Sequence, residues 1–348
     1  MGKTVFGWAA HGRTSALGLG LALQLLAAAP ICAGGYRPPH DAFGHPDLQG
    51  IWSASSLTPV ARPSAFKTLT ASPAEAKAYE QASAGRVATL QAPLASKDLA
   101  PPSEGEPTDD QNILWDAKPR PLMRINGQIR TSWIVEPADG KIPLNEATRT
   151  AAAAFLADEL HRADSAQERP YADRCLLGAF VGPPNIQGAM QILQTRDEVV
   201  LSSEVNHELR IVRMTGRRHA PAAIRRWLGD SIGWWEGATL VVDTTNFNRG
   251  EFWHRPTPNA PAPLSEGGRT VERFTRTGPT EILYAFEIED PASYTQTWRG
   301  EAVLNPEAGP IYEDACHEGN YGLPNILAGA RHEEAMAKAG AGPAASKP

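Results

Sequence analysis

The chain lacks the short motifs that announce metal and cofactor sites. Its 348 residues include three cysteines, with no CxxC spacing, and its nine histidines form neither HExxH nor a His-x-His pair. A motif-built metal site is therefore not expected. One made from His207, His254, His317 and Asp243 would have to be assembled in space. No glycine-rich turn follows a strand and opens a helix, which leaves out dinucleotide and P-loop folds. A serine triad is not expected either, for want of a nucleophile elbow. No cofactor is implied, and acid–base chemistry by His, Asp, Glu and Tyr is what remains. The 33 basic residues are scattered in a chain of net charge -6, so no stripe points to nucleic acid. The densest group, Arg217, Arg218, Arg225 and Arg226, reads as a solvated face.

What is present begins with a leader. Lys3 and Arg13 precede the apolar run Ala16–Pro30, and Ile31-Cys32-Ala33 offers small residues for cleavage after Ala33. Residues 1–33 are expected to be a signal peptide, the mature protein being periplasmic or extracellular. Beyond them no apolar run approaches the roughly 20 residues a spanning helix needs, so no membrane span is expected after cleavage. Cys175 and Cys316 would then be an even pair in an oxidising compartment, and a disulfide between them is expected. A reactive Cys316 beside His317 is the alternative.

Residues 34–120 read as an irregular and helical N-terminal wrap. Leu48, Ile51 and Trp52 dock it on the body, a short helix covers about 74–84, and a Pro/Ser-rich loop runs over 92–110. Ser72, Pro73 and Glu75 compose a capping box ahead of that helix. Residues 121–322 read as an antiparallel β domain. Asn126-Gly127 marks a hairpin, a helix covers 146–163 with Asn145 as its cap, and alternating runs follow at 199–205, 209–214, 239–243, 271–275, 282–288 and 295–304. Short turns and no βαβ alternation predict a mainly β fold. Eight to ten strands suit an antiparallel barrel or strongly curved sandwich, lipocalin-like in outline, with a few peripheral helices. Residues 323–348 would be a C-terminal helix and a disordered tail.

Three stretches carry side chains costly to keep without purpose: 227–254, 290–298 and 312–321. A barrel could gather them around one hollow with apolar walls and a few fixed polar groups. In that arrangement His317 is general base or acid, with Glu318, Asp243, His254 and Tyr284 as further catalytic candidates. Trp234, Trp235, Asn246, Phe247, Arg273, Tyr294, Trp298 and Tyr321 would line the substrate, Arg273 holding an anionic or phenolate oxygen. The expected activity is cofactor-independent lyase or hydratase chemistry on a small aromatic or carbohydrate-derived plant compound. A periplasmic small-molecule carrier using the same cavity is the rival. Oligomeric state is not legible.

Trp235-Glu236-Gly237 through Phe247, with Arg174-Cys175-Leu176, Val271-Glu272-Arg273-Phe274, Asp290-Pro291, Cys316–Tyr321 and Gly329-Ala330-Arg331, resembles a family of uncharacterised exported bacterial proteins with WEG(D)TLVVDTTNF and ACHEGNY motifs. The resemblance runs from about residue 40 to 335 and implies export by bacteria that degrade plant matter. Ala238 stands where that family usually reads Asp, and Gly268-Arg269 where it tends to carry a histidine.

Overall fold

The computed structural model describes residues 36–94, 121–158, 163–169, 172–175, 189–248 and 264–340. Its centre is a closed nine-stranded barrel. In chain order the staves are β1 (Gly50–Ser53), β6 (Met190–Gln194), β7 (Glu198–Ser203), β8 (Leu209–Arg213), β9 (Asp230–Glu236), β10 (Thr239–Thr245), β11 (Arg269–Gly278), β12 (Glu281–Glu289) and β13 (Trp298–Pro306). They neighbour one another in that order, and β1 closes the ring on β13 through Trp52 opposite Pro306. A further strand, β5 (Ile134–Glu136), lies beside β13. Every pairing in this sheet is antiparallel except β8 with β9, where Val212 sits opposite Ser231. A parallel neighbour cannot be reached by a tight hairpin, so residues 214–229 carry the chain back along the outside of the barrel.

The sequence signals mostly govern locally as read. Asn126 (φ 52) and Gly127 (φ 78) make a turn with two positive φ values, as a two-residue type I′ hairpin requires. It joins β3 (Arg124–Ile125) to β4 (Gln128–Arg130), which with β2 (Thr70–Ala71) forms a small second sheet. The helix α1 (Pro73–Leu94) opens on the expected box: Ser72 N–H donates to Glu75 Oε2 at 2.8 Å and Glu75 N–H to Ser72 Oγ at 3.3 Å. It runs about ten residues beyond the sequence expectation. The helix α2 (Glu146–Asp158) is capped by Asn145 Oδ1, which accepts from Thr148 N–H at 2.8 Å. The helix α3 (Gly322–Lys338) buries no residue. None of these three helices is long and apolar enough to cross a membrane.

One stave comes from the segment read as a wrap. Gly50–Ser53 is a barrel strand, and the turns before it are clamped to the wall. Leu48 N–H donates to Gln194 Oε1 at 2.6 Å, Trp52 Nε1 donates to Leu48 O at 2.9 Å, and Arg276 donates to Asp47 O at 2.7 Å. Four residues amid Pro, Gly and His are too few for an alternation to show. Leu48, Ile192, Leu240, Ile282, Leu304, Trp133 and Trp298 are fully buried in one cluster, each worth about 1.5–3 kcal/mol or more by area removed from water.

Candidate functional site

Strand alternation decides which side chains enter the barrel. Cross-strand pairs share a face, so the register Ser231–Thr244–Thr270–Ile288–Trp298 is one row of the inner wall across β9 to β13. The next row is Gly233–Val242–Glu272–Phe286–Gly300, and the third is Trp235–Leu240–Phe274–Tyr284–Ala302. The interior is therefore polar at one end and aromatic deeper in.

The second row holds the acid of a charge pair, Glu272, and the third the phenol that donates to it, Tyr284. Arg210 enters the interior from β8, three strands away, and grips the Glu272 carboxylate with two N–H groups at 2.5 and 2.9 Å. The Tyr284 hydroxyl donates to the same carboxylate at 2.9 Å. Glu272 and Tyr284 are 1% and 0% exposed. Burial pushes the Tyr284 phenol well above its ordinary range, and the Glu272 charge adds to this, so it stays a hydrogen-bond donor. Burial alone would lower Arg210; the Glu272 carboxylate outweighs it and holds the guanidinium charged. Removing both ions from water costs several kcal/mol each, offset only by such a closed geometry.

In the first row Ser231 Oγ and Thr244 Oγ1 satisfy each other at 2.9 Å. Thr270 Oγ1 and Trp298 Nε1 are buried and have no hydrogen-bond partner among the described residues. The Trp298 ring meets Phe286 edge-on with centroids 5.4 Å apart and Tyr294 at 5.7 Å.

The sequence-nominated residues divide among four places. Tyr284, Trp235, Trp298 and Tyr294 belong to the interior cluster or pack against it. Trp234, Arg273 and Asp243 point the other way. Trp234 Nε1 donates to Glu236 at 2.8 Å under the Arg217 guanidinium, and Arg273 pairs with Glu236 at 2.6 Å. Asp243 takes a two-pronged grip from Arg269 at 2.9 and 2.8 Å. Asn246 (φ 59) donates to Ala220 O at 2.9 Å, and Phe247 is buried beside Gly229; these two hold the 214–229 crossover. His317 and Glu318 lie exposed on a turn, and Tyr321 is 75% exposed. That turn is tied by the Cys175–Cys316 disulfide, by Asp314 N–H donating to His207 Nε2 at 3.1 Å, and by Asn320 donating to Asp173 O at 2.7 Å. His254 lies outside the described residues.

The expected convergence of residues 243, 290 and 317 is not what the fold builds. Asp243 faces outward. Asp290 spends its carboxylate on Ser265 N–H and Oγ, Ala292 N–H and Ser293 Oγ, fastening two loops. A second outer cluster escaped the sequence reading: Asp230 accepts from His219 Nδ1 at 3.1 Å, Ala220 N–H at 2.9 Å and Arg213 at 2.9 Å, with His219 Nε2 3.7 Å from Asp243. Gly229-Asp230-Ser231-Ile232-Gly233 also has the GxSxG spacing, contrary to the sequence reading. It is no elbow, because it runs into and along β9 with Ser231 turned to Thr244. Among the described residues, no group of three His, Cys, Asp or Glu could hold a metal ion. No family model matches the chain, and no curated protein matches it.

Proposed function

We propose that this is an exported barrel that binds a small, neutral, aromatic molecule at the polar end of its interior. The observation that carries this is the pair of orphaned groups, Thr270 Oγ1 and Trp298 Nε1, in one row of the inner wall. A buried polar group without a partner costs about 1–3 kcal/mol, and native proteins keep few of them. A ligand that accepts from the indole and donates to or accepts from the hydroxyl removes both costs. Phe286, Tyr294 and Trp298 supply apolar contact around it. Neutrality follows from the Arg210–Glu272 pair, whose charges are already spent on each other; an incoming carboxylate would be desolvated without a counter-ion. Export rests on the leader of residues 1–33, and the plant-derived aromatic class on the motif resemblance.

This favours a carrier over a lyase or hydratase. The lyase reading keeps one foothold, Tyr284 on Glu272, and there the phenol is held protonated as a donor to the carboxylate. His317 stands exposed on its turn.

The test is isothermal titration with neutral phenols such as guaiacol and 4-methylphenol, beside 4-hydroxybenzoate. Neutral compounds should bind, the benzoate weakly or not at all. Thr270→Val and Trp298→Phe should each weaken binding by roughly 2–10-fold, the worth of one hydrogen bond. Equal affinity of both variants and parent for every neutral ligand would overturn the site. Consumption of the ligand during titration would restore the enzyme reading.

A further inference from the structure

The crossover on the outer wall carries chemistry that a tether does not need. Residues 215–227 (TGRRHAPAAIRRW) hold four arginines and no acid, in a chain of net charge -6. Arg217, Arg218 and Arg226 are exposed, and so are two large apolar side chains among them, Ile224 at 48% and Trp227 at 55%. Arg225 turns inward to Phe247 O, Glu266 O and the Glu266 carboxylate, and Arg217 lies over Trp234. The segment is not loose. Asp230 and Asn246 hold its Ala220 backbone from both sides, and Arg226 exchanges backbone hydrogen bonds with Asn246 and Asn248. Between these anchors, Pro221 to Ile224 closes a turn that presents Ile224 outward.

We propose that this crossover docks the protein on an anionic lipid bilayer. Positive charge gathered on one loop of an acidic chain means that a negative surface attracts this face and repels most of the rest. Guanidinium groups pair with lipid phosphates. Trp is enriched where membrane meets water, because its ring is apolar and its N–H polar. An exposed Ile and Trp between arginines give shallow insertion as well as attraction. A surface meant only for water would not need the apolar pair, and one meant only for soluble polyanions would not use it. The inference is independent of what the barrel interior binds.

Vesicle co-sedimentation tests it. The mature protein should pellet with phosphatidylglycerol-containing vesicles and not with pure phosphatidylcholine, and 0.5 M salt should release it. Arg218→Gln with Arg226→Gln should lower partitioning at least about fivefold, given about 1 kcal/mol per cation near an anionic surface. Ile224→Ser with Trp227→Ser should lower it comparably. Arg226 also lies 3.8 Å from the Asp230 carboxylate, so both double variants are compared at a temperature where circular dichroism shows them as folded as the parent. Equal binding to the two vesicle types, or none to either, overturns the proposal. So does a loss confined to the arginine variants together with full competition by dextran sulfate, which would mark a polyanion site.

Discussion

Tyr284 and Glu272 are diagonal neighbours on β12 and β11, and the phenol reaches the carboxylate at 2.9 Å while Arg210 grips it from across the interior. The three residues carry very different weights. Glu272→Ala leaves a buried guanidinium without a partner and should cost about 3–5 kcal/mol. Tyr284→Phe removes one donor of three from the carboxylate and should cost about 1–2 kcal/mol. Arg210→Met with Glu272→Leu, which removes both ions, should be more stable than either single change. Urea midpoints at pH 7 decide it, and a double variant weaker than both singles would show that the pair is net stabilising.

The same pair shows how far the sequence was legible. Ile282, Tyr284, Phe286 and Ile288 were readable as one inward face because nine regular residues alternate. Applied one strand back, that rule puts Glu272 inward with Phe274 and turns Arg273 outward to Glu236. Charge alone singles out Arg273; the alternation does not. Arg210 was not legible that way: it lies between Leu209 and Ile211, whose apolar side chains suggest the inward face, and the fold leaves those two exposed and turns Arg210 in. Asp243 follows the alternation, one residue out of step with the inward Val242 and Thr244. Placement of His317 was not legible, because it depends on which side of a closed wall a loop returns. Nothing local encodes that. The β1 stave was hidden for another reason: four residues make too short a period, and its pairing with β13 spans most of the chain.

The Cys175–Cys316 disulfide closes 141 residues. In the chain-entropy model such a loop contributes roughly 4–5 kcal/mol. Reduction should lower the denaturant midpoint accordingly and increase proteolysis near 312–321 before global unfolding. A midpoint unchanged by reductant would mean that the linkage adds nothing to folding.

Asp230 gives the acid limb of stability a named source. Burial pushes its carboxyl up, but Ala220 N–H, His219 and Arg213 together outweigh that and hold it below the usual carboxylate range. A depressed native value stabilises fully above the unfolded value of about 3.9 and is lost as pH falls through the native one. Asp230→Asn should therefore cost about 2 kcal/mol at pH 7 and progressively less below pH 4. Denaturant midpoints at pH 7, 4 and 2.5 measure the gap; a gap constant across all three would assign the effect to shape rather than charge.

Gly300 lies in the row beside Phe286, and a Cβ there would stand 2.2 Å from the Phe286 ring. Gly300→Ala should destabilise by about 1–3 kcal/mol through overpacking. Phe286→Leu in the same chain should recover much of it, since residues in contact do not add independently. The ring has a second neighbour, Trp298, which it meets edge-on at 5.4 Å. Displacing Phe286 therefore displaces the indole whose N–H is proposed to hold the ligand. Gly300→Ala should weaken binding of neutral phenols along with stability, whereas Cys316→Ser should lower stability and leave affinity unchanged. If both variants lose affinity in proportion to stability, the ligand senses only global folding and the interior site fails.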